Sequence, residues 1–390
     1  MPLRRAVDEA ELGSQRLGPL GPSSLSWVRS PHSRLSRDDR AALGMWAAAH
    51  LALFILAWAS AWVYRHAHDH ASLTGVFEHW DASILRRIAQ YGYFSPHSAA
   101  NDIAFFPGYP ATLAATHLIL RDWVLSELVV SGVSGCFVVV SLARLAGGRR
   151  TVLYLLAAPA AVFLMVGYAE SLFLAFAIPA WLAATRGQWW RAGLLTALSG
   201  VVRPDALFLI PALAVMALAG PAGSRLADAA KICVGFAGPA AYEIYLIACT
   251  GNWAAWRNAK QAGWDLHLVT PVQALKTTWW MAFQHPFTAS SAFGAQLELI
   301  AMTMMAAATL AFLWWYRWPE AIYCGLPVAV LATQTWYQSC PRTLLVLFPI
   351  WVALARLEKT QPWMRYLYFS TSAPLAVVVG LLFLTYQPIG

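Results

Sequence analysis

A few ionisable residues stand out in this sequence by the company they keep. Asp81 lies in the stretch His79-Trp80-Asp81-Ala82-Ser83-Ile84-Leu85-Arg86-Arg87-Ile88-Ala89-Gln90-Tyr91-Gly92-Tyr93. If residues 76–91 are helical, Phe77, Ile84, Leu85 and Ile88 fall around its side. The carboxylate is then partly desolvated and its pKa raised, as proton abstraction near neutral pH requires. The same position also suits an N-cap for a helix beginning at Ala82, a role that needs only an acceptor for a backbone N–H. Asp102 precedes Phe105-Phe106-Pro107 and suits contact with hydroxyl groups, help to a base, or a metal; its spacing does not choose. Tyr168 and Glu170 close one apolar run, Arg203-Pro204-Asp205 interrupts another, and Arg342 follows Ser339-Cys340-Pro341. The plain structural reading of Arg203 and Arg342 is an ion pair with Asp205 or Glu170, because charges in apolar surroundings tend to pair. His79 is placed either to orient a base or to hydrogen-bond locally. Arg86 and Arg87 read as snorkelling anchors near lipid headgroups.

Composition sets the elements that must carry these residues. Hydrophobic residues make up 59% of the 390, and charged residues 12%, against roughly 45–50% and about 25% in soluble domains. Such a chain cannot cover itself with polar surface. Apolar runs near the ~20 residues that cross a bilayer recur from Leu43 to Tyr386, so lipid is the expected solvent. Breaks at Pro, Gly and charge predict eleven crossings, near 44–64, 124–143, 151–167, 169–185, 192–203, 205–219, 231–249, 293–316, 319–337, 343–357 and 366–386. The expected fold class is all-α, a polytopic transmembrane helical bundle. The segments 192–203 and 205–219 are short for relaxed spans, so Arg203-Pro204-Asp205 is expected to break a span and line a cavity. Pro107 and Pro110 interrupt the start of the run 103–120, which reads as re-entrant or interfacial. Residues 1–42, rich in Ser, Pro and Arg, read as a disordered cytoplasmic tail ahead of a transmembrane domain over 43–390.

The net charge of +8 does not point to nucleic acid, because the basic residues sit in short loops and the tail rather than in one patch. They read as topology signals. With the tail inside, Arg149, Arg150, Arg186, Arg191, Arg225, Lys231, Arg317 and Lys359 fall on the cytoplasmic side, as the positive-inside rule asks. Asp81, Asp102, Glu170, Arg203, Asp205 and Arg342 then lie at the outer face, with Glu243 and Glu298 in outer halves of spans. Ionisable groups gathered in apolar surroundings mark a functional cavity. Outer loops over 65–123 and 250–292 are expected to cover it. The second of these holds Asn252, Trp253, Trp256, Gln261, Trp264 and His267, a mixture that suits either a carbohydrate surface or an interfacial aromatic belt. Ser339–Arg342 joins two spans, so Cys340 is expected to face the outer solution. The five cysteines are odd in number and lack metal-ligand spacing, so neither disulfides nor zinc are expected.

Trp80-Asp81, then Ile88-Ala89 and Gly92-Tyr93, then Ala104-Phe105-Phe106-Pro107 and Tyr109-Pro110, form a pattern that resembles the PIG-V family of mannosyltransferases, including its bacterial relatives. These belong to the GT-C class. The resemblance continues in order through Tyr168-Ala169-Glu170-Ser171-Leu172-Phe173, Ala192-Gly193-Leu194, Arg203-Pro204, Ser339 to Arg342 and Phe348-Pro349, and spans most of 45–385. It implies a GT-C-type bundle with interfacial helices in the outer loops. It also implies transfer of mannose from polyprenyl-phosphate-mannose to a hydroxyl of a lipid-linked or envelope glycan, with inversion and with Asp81 as base. Such a donor needs its departing phosphate held, for which the planar forks of Arg203 and Arg342 are suited. Asp102, Glu170, Asp205, Tyr168 and His79 are the expected substrate-binding residues. No cofactor and no resident metal are expected, and the partners are the lipid-borne donor, a glycolipid or glycan acceptor and membrane lipids. The Ala- and Arg-rich composition points to a bacterial plasma membrane with the site extracytoplasmic. Two rivals share these features. One is a transferase for another sugar or a protein acceptor, separable by donor competition; the other is a lipid or solute transporter, which also shows outer-half charges and a broken helix but forms no glycosidic bond.

Overall fold

The computed structural model describes residues 35–67, 74–284 and 288–387. Residues 1–34 of the expected tail lie outside these, and residues 37–42 belong instead to the first helix. The described chain is all-helical, with a single isolated bridge between Leu268 and Gln334. Its α-helices run, in order, α1 (Arg37–Ala67), α2 (Asp81–Tyr91), α3 (Gly108–Leu120), α4 (Trp123–Ala146), α5 (Arg150–Leu156) and α6 (Glu170–Thr185). There follow α7 (Trp189–Val202), α8 (Ala206–Leu218), α9 (Arg225–Ile232), α10 (Ala237–Thr250), α11 (Ala255–Trp264) and α12 (Pro271–Phe283). The last five are α13 (Ala289–Trp314), α14 (Trp318–Leu331), α15 (Cys340–Val346), α16 (Phe348–Thr360) and α17 (Trp363–Leu384).

Five helical runs are long and apolar enough to cross a membrane: Arg37–Val63, Trp123–Ala146, Arg225–Thr250, Ala289–Trp314 and Trp363–Leu384. The pair α15 and α16 makes a sixth if counted as one span bent by 69°. The chain is an integral membrane protein, and the eleven crossings expected from sequence resolve into these together with shorter apolar helices such as α6, α8 and α14. Proline accounts for two of the differences. The run 151–167 stops at Leu156, because Ala158 is extended ahead of Pro159 and a 3₁₀ turn over Pro159–Leu164 follows. That non-helical backbone is tolerated because Ala160 to Val166 are all buried in protein. The run 343–357 bends at Leu347, ahead of Pro349. The break at Arg203-Pro204-Asp205 falls where the sequence places it: Arg203 leaves α7 extended, and α8 restarts at Ala206.

Local signals fix several ends. The Asp122 carboxylate accepts the Leu125 N–H at 2.7 Å and starts α4, which stops at Gly147 in the left-handed region. Thr288 and Ser291 form a reciprocal capping box at the start of α13. The bundle centre lies where α6 packs on α4 and α7. There Trp181, Tyr323 and Phe348 meet with ring centroids 5.4–5.9 Å apart, joining α6 to α14 and α16. The segment 103–120, read as re-entrant or interfacial, holds a short helix, α3. Its first residue, Gly108, presses on the end of α7: a Cβ there would lie 2.8 Å from the Val201 carbonyl oxygen.

Candidate active site

The residues singled out from sequence converge from four places in the chain. Glu170, at the first turn of α6, is fully buried. Its Oε1 accepts from Arg203 Nη1 at 2.6 Å and from Arg342 Nε at 2.7 Å. Arg203 also donates from Nε to Asp205 at 2.9 Å, and Arg342 donates from Nη1 to Asp81 at 2.6 Å. The result is one continuous chain, Asp205–Arg203–Glu170–Arg342–Asp81. Three carboxylates face two guanidiniums, leaving one negative charge in excess. Removing either arginine from such a buried array costs about 3–5 kcal/mol, because its carboxylate partners are left uncompensated. Beneath Arg342 lies Tyr168, whose buried ring centroid is 4.7 Å from the guanidinium carbon.

Two residues at positive φ precede the Asp81 and Arg342 members of this chain. Trp80 has φ +55° and ψ −127°, outside the favoured regions for a residue with a Cβ, and its ring stacks on Tyr386 at 5.1 Å. Asp81 therefore opens α2 rather than lying within a helix over 76–91. It caps nothing, since its carboxylate is engaged by Arg342. Nor does that carboxylate sit bare among apolar side chains, as the sequence reading expected. Three residues ahead of Arg342, Ser339 has φ +60°. Glu298 on α13 holds that turn, its two oxygens accepting the N–H groups of Ser339 at 2.9 Å and Cys340 at 2.7 Å. Cys340 is fully buried by this packing, contrary to the expectation that it faces solution.

Asp81, Arg203, Asp205 and Arg342 line a cavity of about 370 Å³. One wall is the segment Ala104–Phe106. Three aromatic side chains from separate places in the chain hold the backbone at and just ahead of it: Tyr242 donates to the Ile103 carbonyl at 2.9 Å, Trp256 to Ala104 at 3.1 Å and Tyr93 to Phe105 at 2.9 Å. The lining also includes Gln334, Gln338 and Thr343. Helix α11 contributes Trp256, Lys260 and Trp264 to the lining; the i, i+4, i+8 spacing puts all three on one helix face. Lys260 Nζ lies 5.2 Å from the Trp256 ring centroid. Burial pushes its pKa below the ordinary lysine value, while the charges of Asp205 and Asp81 oppose that shift. Lys260 was not among the residues expected from sequence.

Two expected site residues are elsewhere. Asp102 is fully buried, and its carboxylate accepts from Arg87 through Nε at 3.0 Å and through Nη2, and from the Ala99 N–H at 2.9 Å. It ties the turn ahead of the wall segment to α2 and is absent from the cavity lining. His79 packs edge-on to Tyr386 and Phe383, with centroids at 4.7 and 6.1 Å, rather than against Asp81. Burial holds its pKa below the ordinary histidine value. The paired arginines ahead of these are not lipid anchors either. Arg86 bonds Glu127 through Nε at 2.8 Å and Nη2 at 3.1 Å and reaches Glu78 at 3.0 Å, while Arg87 is held by Asp102. A second cavity, of about 430 Å³, lies among Arg37, Arg149, Arg150, Arg356 and Lys359 and contains none of the expected site residues. Among the described residues no group of three or more His, Cys, Asp or Glu is placed to hold a metal ion.

No family model and no solved structure matches the chain. It is similar in sequence to GPI alpha-1,6-mannosyltransferase 2 of Rattus norvegicus, 32% identical over 154 residues, which is 35% of this chain and 30% of that protein. The proteins of the same name from Homo sapiens and Mus musculus are 32% and 34% identical over 153 residues. The chain thus spans 30% of the length of the curated relatives it matches. That likeness supports the resemblance to PIG-V-like mannosyltransferases carried by the motifs around Asp81.

Proposed function

We propose that this chain is a membrane mannosyltransferase. It moves mannose from polyprenyl-phosphate-mannose to a hydroxyl of a lipid-linked or envelope glycan, on the extracytoplasmic face and with inversion. The observation that carries this reading is the Asp81 carboxylate on a cavity wall, joined to Arg342, in a chain 32–34% identical over a third of its length to mannosyltransferases of glycolipids. The oxygen of the acceptor hydroxyl attacks the anomeric carbon. The bond from that carbon to the phosphate oxygen breaks, and its electron pair leaves with the phosphate. The hydroxyl proton passes to Asp81.

Protonation of Asp81 removes the charge that engages Arg342 Nη1. At that moment the leaving group changes from a phosphodiester with one negative charge to a monoester that gains a second. Arg342 is then free to turn its fork toward the new charge, stabilisation where charge develops rather than in the ground state. Arg203 and Glu170 stand behind, holding Arg342 in place. Outward orientation is supported by Arg149, Arg150 and Lys359 gathering at the second cavity, apart from the site. The test is to incubate the purified protein with labelled polyprenyl-phosphate-mannose and a panel of lipid acceptors, then identify the product and its anomeric configuration. Movement of the donor across vesicles with no new glycosidic bond would favour the transporter reading instead.

A further inference from the structure

The two arginines that line the cavity are already committed. Arg203 is bonded to Glu170 and Asp205, and Arg342 to Glu170 and Asp81. An anion entering the cavity must compete with carboxylates already 2.6–2.9 Å from them, in an array that is itself one charge negative. Among the described residues Lys260 is the one cation on the cavity wall that forms no ion pair. It is half-buried on α11, with the indole of Trp256 on one side. The charges it faces are those of Asp205, Arg203, Asp81 and Arg342, so its side chain stands over the array rather than in open solution. Gly263 fixes the height of this helix: a Cβ there would lie 2.8 Å from the Asn101 side chain, on the loop that leads to the wall segment.

We propose that Lys260 is the ground-state partner of the donor's phosphate, and that the cavity is built for a ligand bearing a single phosphodiester charge. The proposal rests on the transferase reading above and assigns that reading's phosphate site to a residue outside the arginine array. A lone ammonium offers three donors to one anionic group without a fixed fork. A diphosphate-linked sugar would bring a second charge for which the wall supplies no uncommitted cation. Trp256 and Trp264, one helical turn to either side, supply apolar faces flanking the phosphate, suited to the first isoprenoid units or to a sugar ring. The roles of the cations are then divided in time. Lys260 meets the phosphodiester on binding, and Arg342 meets the second charge only after Asp81 has taken its proton.

The experiment uses the full chain in nanodiscs and measures the Kd for three probes of one chain length: a monophosphate blocked as its methyl diester, which carries one negative charge as the donor does, polyprenyl diphosphate and uncharged polyprenol. It adds the KM and kcat for polyprenyl-phosphate-mannose. The wild type is expected to prefer the monophosphate to the alcohol and to gain nothing from the diphosphate. Lys260→Met should weaken monophosphate binding by roughly 10–100-fold, the scale of one lost charge-assisted hydrogen bond, and should leave alcohol binding unchanged. Its donor KM should rise by a similar factor with kcat changed only a few-fold. Lys260→Arg should recover most of the affinity. Lys260→Gln repeats the test in a polar side chain if the methionine variant does not fold. Monophosphate binding by Lys260→Met or Lys260→Gln at the wild-type Kd overturns the assignment, and transfer by the wild type would then leave the transferase reading standing. Tighter wild-type binding of the diphosphate than of the monophosphate overturns the single-charge assignment. Equal wild-type binding of monophosphate and alcohol, with no transfer, removes the transferase reading and the proposal together.

Discussion

Asp81→Asn separates chemistry from structure more cleanly than any other change in the site. Asparagine keeps the shape of the side chain, and its amide oxygen can still accept from Arg342 Nη1, now 2.6 Å away. Arg342 also retains Glu170 at 2.7 Å, and the Asp81 side chain is 18% exposed at the cavity wall. The folding cost is therefore that of turning one charge-assisted hydrogen bond into an ordinary one, about 1–1.5 kcal/mol. Loss of a general base costs about 10²–10⁴-fold in rate, or about 2.7–5.4 kcal/mol at 1.36 kcal/mol per decade. Removing a carboxylate also abolishes the excess negative charge of the array, so polyprenyl phosphate should bind as well as to the wild type or better. The assay is single-turnover transfer from labelled polyprenyl-phosphate-mannose at saturating acceptor, alongside thermal melting and ligand binding on the same preparation. Transfer should collapse while the other two hold. Near wild-type turnover would refute the assignment of the base and leave Asp205, the other carboxylate on the wall, as the next candidate. A melting loss as large as the rate loss would show that Asp81 serves structure first.

Arg342→Lys keeps the charge but has one nitrogen where the guanidinium serves both Glu170 and Asp81; kcat should fall at least about tenfold with donor KM nearly constant, as for an interaction made only in the transition state. A rise in KM alone would contradict the division of roles between Arg342 and Lys260. Glu298→Gln leaves one acceptor oxygen for two N–H groups and should loosen the strained Ser339 turn, lowering kcat. Peptide-level mass spectrometry should then find Cys340 labelled by a thiol reagent that spares it in the wild type, and continued protection would show that Glu298 does not hold the turn. Gly108→Ala forces a methyl group against the backbone of Val201 and Val202 at 2.8–2.9 Å and should cost about 1–3 kcal/mol of stability, read as a lower melting temperature; an unchanged melt would mean that α3 can shift freely away from α7.

The features legible in the sequence are those with a local physical signature. Charge next to proline in an apolar run marks the break at Arg203-Pro204-Asp205, and Asp81, Glu170 and Arg342 stand out because apolar surroundings make each one costly. Asp102 was misplaced because its partner, Arg87, lies 15 residues away, and nothing in the spacing reveals a bidentate clamp between them. Lys260 was missed for the opposite reason. Tryptophans near an interface are so readily explained as a lipid belt that the Trp256, Lys260, Trp264 stripe carries no special weight until all three are found in the cavity lining. The resolution of 151–167 into a short helix and a 3₁₀ turn had a visible cause in Pro159, but whether a proline kinks a span or ends it depends on packing that only the tertiary structure shows.

The charge chain has a consequence for how the molecule is made. Glu170, Arg203 and Asp205 leave the ribosome close together and can neutralise one another while only the first part of the bundle exists, with one negative charge over. Their remaining partner, Arg342, is 172 residues beyond Glu170 and 261 beyond Asp81. Until it arrives, three carboxylates share a low-dielectric interior with one guanidinium, two negative charges in excess, a state that favours proton uptake or an open, hydrated bundle. Insertion of α15 therefore completes the site and closes the interior in the same step, and a chain that stops short of it carries its own mark of incompleteness in the membrane.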